Sequence, residues 1–186
     1  MPFEESFKNI STSELLSHSE EFESCSFSHC DFSEAKLSKL KFIDCDFKEC
    51  NMSNVLLSNT ALQNVNFNNC KLLGVHFEHA NPFGVQLSFK YCFLDHASFY
   101  QMKLAEISFD SCRLVGVDFT EADLKNASLV SSNLSGAIFF QTNLEKADFR
   151  GAEGYSIHPE ENKLKGASFS LDQVSGLLDV YKLTIE

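Results

Sequence analysis

A period of five residues constrains this chain more than any other feature. Every fifth residue from Phe22 runs through Phe27, Phe32, Leu37, Phe42, Phe47, Met52, Leu57, Leu62, Phe67, Leu72, Phe77, Pro82 and Leu87, and only Pro82 is not Phe, Leu or Met. The frame then slips by two and continues from Phe89 to Phe149 with Phe or Leu at every step. Two positions before each large residue lies a mostly small one, as at Cys25, Ala35, Val55, Ala80, Val117, Ala122, Ser132 and Ala147. Five fits neither the 3.6-residue period of an amphipathic helix nor the two-residue period of a strand. The chain must therefore turn at every repeat, with one large and one small residue facing in and three facing out. One slot refilled by the same ring accounts for 19 Phe against 4 Tyr and no Trp.

The cysteines set the size of a coil. All seven occupy the small inward slot. Cys30, Cys50 and Cys70 are 20 residues apart, as are Cys25 and Cys45 and then Cys92 and Cys112, while Cys70 to Cys92 is 22, a coil plus the slip. Four pentads per coil follow, and the slip is expected as a bulge near residues 86–92. Coils of a parallel stack lie ~4.8 Å apart, more than the ~3.8 Å between Cβ atoms that a disulfide needs. No second column supplies facing ligands, so the column Cys30, Cys50, Cys70, Cys92 and Cys112 reads as buried spacers, with no metal or redox site.

The pentads Ala-Asp-Leu-Lys-Asn (122–126), Ser-Asn-Leu-Ser-Gly (132–136), Thr-Asn-Leu-Glu-Lys (142–146) and Ala-Asp-Phe-Arg-Gly (147–151) resemble the pentapeptide repeat family over roughly residues 20–170. That resemblance implies an all-β, right-handed quadrilateral β-helix. The segment 79–87, His-Ala-Asn-Pro-Phe-Gly-Val-Gln-Leu, is similar to quinolone-resistance (Qnr-type) members. Members of that subgroup protect DNA gyrase and topoisomerase IV by presenting a rod with the shape and charge of duplex DNA. Qnr-type proteins carry two longer loops, and here there is only a two-residue slip, which places the chain nearer the loopless mycobacterial member.

Catalysis has no candidate residues. His76 and His79 flank Phe77 on outward positions with no carboxylate or Cys partner expected, and His29 and His96 also face out. No catalytic triad order, phosphate loop or Cys-x-x-Cys is present, so neither an enzyme nor a cofactor is expected. A net charge of −11 argues against direct nucleic-acid binding. Residues 1–35 carry 8 acids and 1 base, 36–90 carry 4 and 6, 91–153 carry 9 and 5, and 154–186 carry 5 and 3. Asp118 and Asp123 stand where the repeat itself favours a turn-forming acid. Asp95, Glu106, Asp110 and Glu121 fall on freely variable outward positions, so together the six form the expected acidic face for a protein partner.

After Gly151 the repeat falters, then returns at Leu164 and Phe169. Val174, Leu177, Leu178 and Tyr181 follow helical spacing, and Ser170 with Gln173 matches a capping box, which predicts a short α-helix over about 171–181. It would cover the open end of the solenoid. With the apolar Leu183 and Ile185 it would also join two copies, an ending that resembles the dimerising ends of the Qnr-type, mycobacterial and microcin-immunity members. The expected organisation is an amino-terminal cap over 1–19, a β-helix over 20–170 and a dimerising end over 171–186. The opening residues lack a signal-peptide pattern and no stretch is apolar enough to span a membrane, so the expected location is the cytoplasm.

Overall fold

Phe7, Phe27, Phe47, Phe67, Phe89 and Phe109 are successive Cα neighbours in one parallel ladder. In the computed structural model, which describes residues 2–184, that ladder is one face of a parallel β-solenoid of about eight turns. Its strands are Ser6–Lys8, Ser26–Ser28, Asp46–Lys48, Val65–Asn68, Leu87–Lys90 and Ser108–Asp110. A second face pairs Glu21–Glu23, Lys41–Ile43 and Ala61–Gln63. The other two faces are held by single parallel bridges, through Asp31, Asn51, Lys71, Phe93, Arg113 and Asn133 and through His76, Ser98, Asp118 and Ile138. Every face is short because a pentad leaves room for about three extended residues before the next corner.

The fifth position of the repeat makes that corner. At most repeats the residue two after the large one has positive φ, as at Glu34 (57°), Asn59 (58°) and Asn126 (57°). Asn adopts this left-handed conformation more readily than other residues bearing a Cβ, and Gly does so freely. Many corners are β-turns closed by a backbone bond such as Ala35 N–H to the Phe32 carbonyl at 3.1 Å. Asp and Asn just before the large residue brace the same turn, since Asp118 Oδ1 accepts from the Thr120 N–H at 2.8 Å.

Inside, the large residues form columns. Phe27 and Phe47 stack at 4.7 Å between ring centroids, Phe77 and Phe99 at 4.6 Å, and neighbouring columns meet edge to face. Each buried ring contributes about 1.5–3 kcal/mol by leaving water, and the stacks add about 0.5–1.5 kcal/mol.

The two additional residues lie earlier than the sequence suggests. Asn59 still bonds to His79 at a spacing of 20, but Val65 already pairs with Leu87 at 22. The bulge therefore lies within residues 81–86, between Asn81, whose N–H still donates to the Thr60 carbonyl at 2.9 Å, and Gln86, whose carbonyl accepts from the Val65 N–H at 2.9 Å, rather than at 86–92. Pro82, which has no N–H to give to a ladder, sits within it.

The ends differ in kind. Thr12–His18 is an α-helix that the five-residue pattern conceals, although Ser11 and Glu14 cap it reciprocally. At the other end, Phe169 pairs with Phe149 in register. The expected α-helix is instead two 3-10 stretches, Leu171–Leu177 and Asp179–Tyr181. Ser170 provides no side-chain cap there, because its Oγ accepts from the Gly151 N–H. The segment is seated on the solenoid at Gly176, which lies so close to Tyr155 that a Cβ would clash with the Tyr155 backbone, and whose carbonyl accepts from Ile157 N–H at 2.9 Å.

Candidate interaction surfaces

All seven cysteines are free and buried. After Phe22, Phe27, Phe47 and Phe67 the corner lacks the usual turn bond, and each Phe carbonyl accepts from a thiol one coil on. The donors are Cys45, Cys50, Cys70 and Cys92, with sulfur at 3.3–3.5 Å. Ser132 does the same for Phe109 at 3.0 Å. The inward thiols thus satisfy backbone acceptors that the fold would otherwise leave bare. Burial pushes the Cys45 thiol up to about 11. Among the described residues no cluster of three or more His, Cys, Asp or Glu could hold a metal ion.

The six candidate acids do not share a face. Bridge register puts Asp95 beside the Arg113 column, Asp110 on the Phe109 face, and Asp118, Glu121 and Asp123 along one edge, while Glu106 turns the next corner. Most are engaged within the chain. Asp95 pairs with Arg113 at 3.0 Å and Asp110 with Lys90 at 3.3 Å. Asp123 accepts from Lys125 N–H and from Asn143 Nδ2, and Glu121 accepts from Gln101 Nε2 at 2.8 Å.

The bulge creates a surface that the periodicity does not announce. Residues 81–86 stand away from the next coil and leave a groove of about 590 Å³, lined by Glu78, Pro82, Phe83, Val85, Tyr100 and Met102 among others. Phe83 is 78% exposed there. His76 and His79 stack at 5.4 Å, and His76 Nδ1 lies 2.9 Å from Glu78 Oε1, so the pair does have a carboxylate partner. Glu78 was missed because it occupies an ordinary outward position between the two histidines.

At the carboxyl end Val174, Tyr181 and Leu183 are exposed, whereas Leu177 and Leu178 are half-buried and Leu177 packs on the core of its own chain. Leu171 and Val180, absent from the helical pattern, also face out. Ile185 lies outside the described residues. No helix among the described residues is long and apolar enough to cross a membrane.

Comparison with curated protein sequences finds no match. Among solved structures the fold is similar to QnrB1, a plasmid-mediated fluoroquinolone resistance protein. One trypsin-treated form gives a TM-score of 0.63 at 20% identity, covering 100% of this chain and 97% of that one. The full-length form gives 0.57 at 18% identity, covering 97% and 99%. Family models describing a pentapeptide repeat region match residues 20–99, and models for pentapeptide repeats match 92–129 and 118–153. With the 20-residue register and the inward columns in agreement, the chain belongs to the pentapeptide repeat family.

Proposed function

We propose that the chain is a non-catalytic, cytoplasmic protein-binding rod whose partner is a type II topoisomerase, DNA gyrase or topoisomerase IV, and that it counters a quinolone-type or peptide inhibitor of that enzyme. The observation that carries the reading is the end-to-end likeness to a fluoroquinolone resistance protein. The solenoid also consumes its chemically reactive residues in packing, which leaves outward faces as the working parts.

About eight turns at ~4.8 Å make a rod of ~38 Å, over which duplex DNA carries ~22 charges. The net charge of −11 is half that density. Two copies joined through their carboxyl ends would gather the acidic segments beyond residue 91 at the centre of a longer rod. The exposed Leu171, Val174, Val180, Tyr181 and Leu183 suit such a contact.

Gyrase supercoiling, with and without a fluoroquinolone, tests this directly. Altered supercoiling or rescue from the drug is expected, and no effect at stoichiometric excess removes the proposal. A second reading, a scaffold for a different protein, is favoured by the distribution of the acids over several faces. A pull-down that returns a reproducible partner and no topoisomerase would select it.

A further inference from the structure

Glu78 carries an anionic oxygen that the chain leaves unsatisfied. Its Oε1 faces His76 Nδ1, but Oε2 is buried and has no hydrogen-bond partner. A buried acceptor without a donor is costly, and more so when it is ionised. Glu78 lines the groove beside the bulge, where Phe83 and Tyr100 present aromatic surface and Pro82, Val85 and Met102 supply an apolar wall.

We propose that this groove receives an arginine side chain from a protein partner. A guanidinium has planar donors for Glu78 once that side chain turns its covered Oε2 toward the groove, and a flat face that stacks on Phe83 or Tyr100, and its methylene stem suits the apolar wall. Lys103 stands at the same groove, so a bound cation meets one like charge there. The bulge is what makes the site: the regular ladder would place the next coil flush, and between Asn81 and Gln86 the chain departs from it. The assignment rests on the protein-binding reading above but not on the identity of the partner.

The test uses the full chain and the capped peptide acetyl-Gly-Arg-Gly-amide, followed by amide shifts in solution NMR. Saturable shifts confined to residues 78–86 and 100–103 are expected. Glu78→Gln should weaken binding about tenfold through loss of the charge-assisted bond, and Phe83→Ala, at an exposed position, should weaken it while leaving the melting temperature unchanged. Lys103→Ala should tighten binding, and a citrulline peptide should not bind. Equal binding by Glu78→Gln, shifts spread over other surface acids, or free arginine binding more tightly than the peptide would each overturn the proposal. No topoisomerase is present in this experiment, so its failure is separate from failure in the supercoiling assay.

Discussion

Phe67 and Phe89 stack at 5.1 Å with their planes 8° apart, although 22 residues separate them where 20 separate Phe47 from Phe67. The column is continuous across the irregularity because the additional residues leave the solenoid on a different face, at 81–86. The core thus sees a regular repeat while the surface gains a bulge.

Removing that bulge should leave the fold intact. Deleting Val85 and Gln86 and replacing Pro82→Leu restores an unbroken period, with Ala80 in the small slot, Leu at 82 in the large one and Gly84, already at φ 70°, at the corner. The expected melting temperature equals or exceeds that of the parent, since a buried Leu adds about 1.5–3 kcal/mol. Phe89→Ala, by contrast, should cost about 3–5 kcal/mol in urea unfolding.

The corners should discriminate between glycines. A Cβ on Gly116, where φ is 66°, would lie 2.7 Å from His96 Nδ1, whereas one on Gly136 would find nothing nearer than 3.9 Å. Gly116→Ala should therefore lose about 1–3 kcal/mol, and Gly136→Ala only about 1 kcal/mol from the left-handed backbone.

The thiols should behave as donors rather than nucleophiles. Thiol reagents should fail to label the native protein and should count seven groups after denaturation. Cys92→Ser should be nearly neutral, because Ser132 already performs the same task for Phe109. Cys92→Ala strips the Phe67 carbonyl of its partner and should cost about 1–3 kcal/mol by chemical unfolding.

At the carboxyl end, Leu171→Asp with Leu183→Asp should yield a monomer near 21 kDa by light scattering with little change in melting temperature, since both side chains are exposed. A parent protein that is itself monomeric would remove the dimer proposal.

Acid should weaken the fold through a few carboxylates. Bonds from Arg150 hold Asp148 below its ordinary value, and bonds from Ser33 do the same for Asp31. A depressed carboxylate lends stability above its unfolded value near pH 4 and loses it as pH falls through the lower, folded value. Stability should therefore decline below about pH 4, and Asp148→Asn should flatten part of that slope in a pH series of urea melts.

Much of this architecture was legible in the sequence because a solenoid is nearly one-dimensional. Each coil packs only on its neighbours, so spacing alone set the period, the inward slots and the cysteine column. The same sequence carried further signals in Asn and Gly two residues after the large position, which mark the left-handed corners, and in Ser11 with Glu14, which cap the amino-terminal helix. Tertiary contacts decided the rest. Where the bulge sits depends on which face tolerates a break in pairing, and 81–86 does so because the neighbouring ladders continue past it. The expected α-helix gives way to 3-10 turns where Ser170, the expected cap, is instead engaged by the Gly151 N–H of the coil beneath. Whether an outward acid is free or paired depends on the residue stacked 18 to 20 positions away, as with Asp95 and Arg113, and no reading along the chain supplies that geometry.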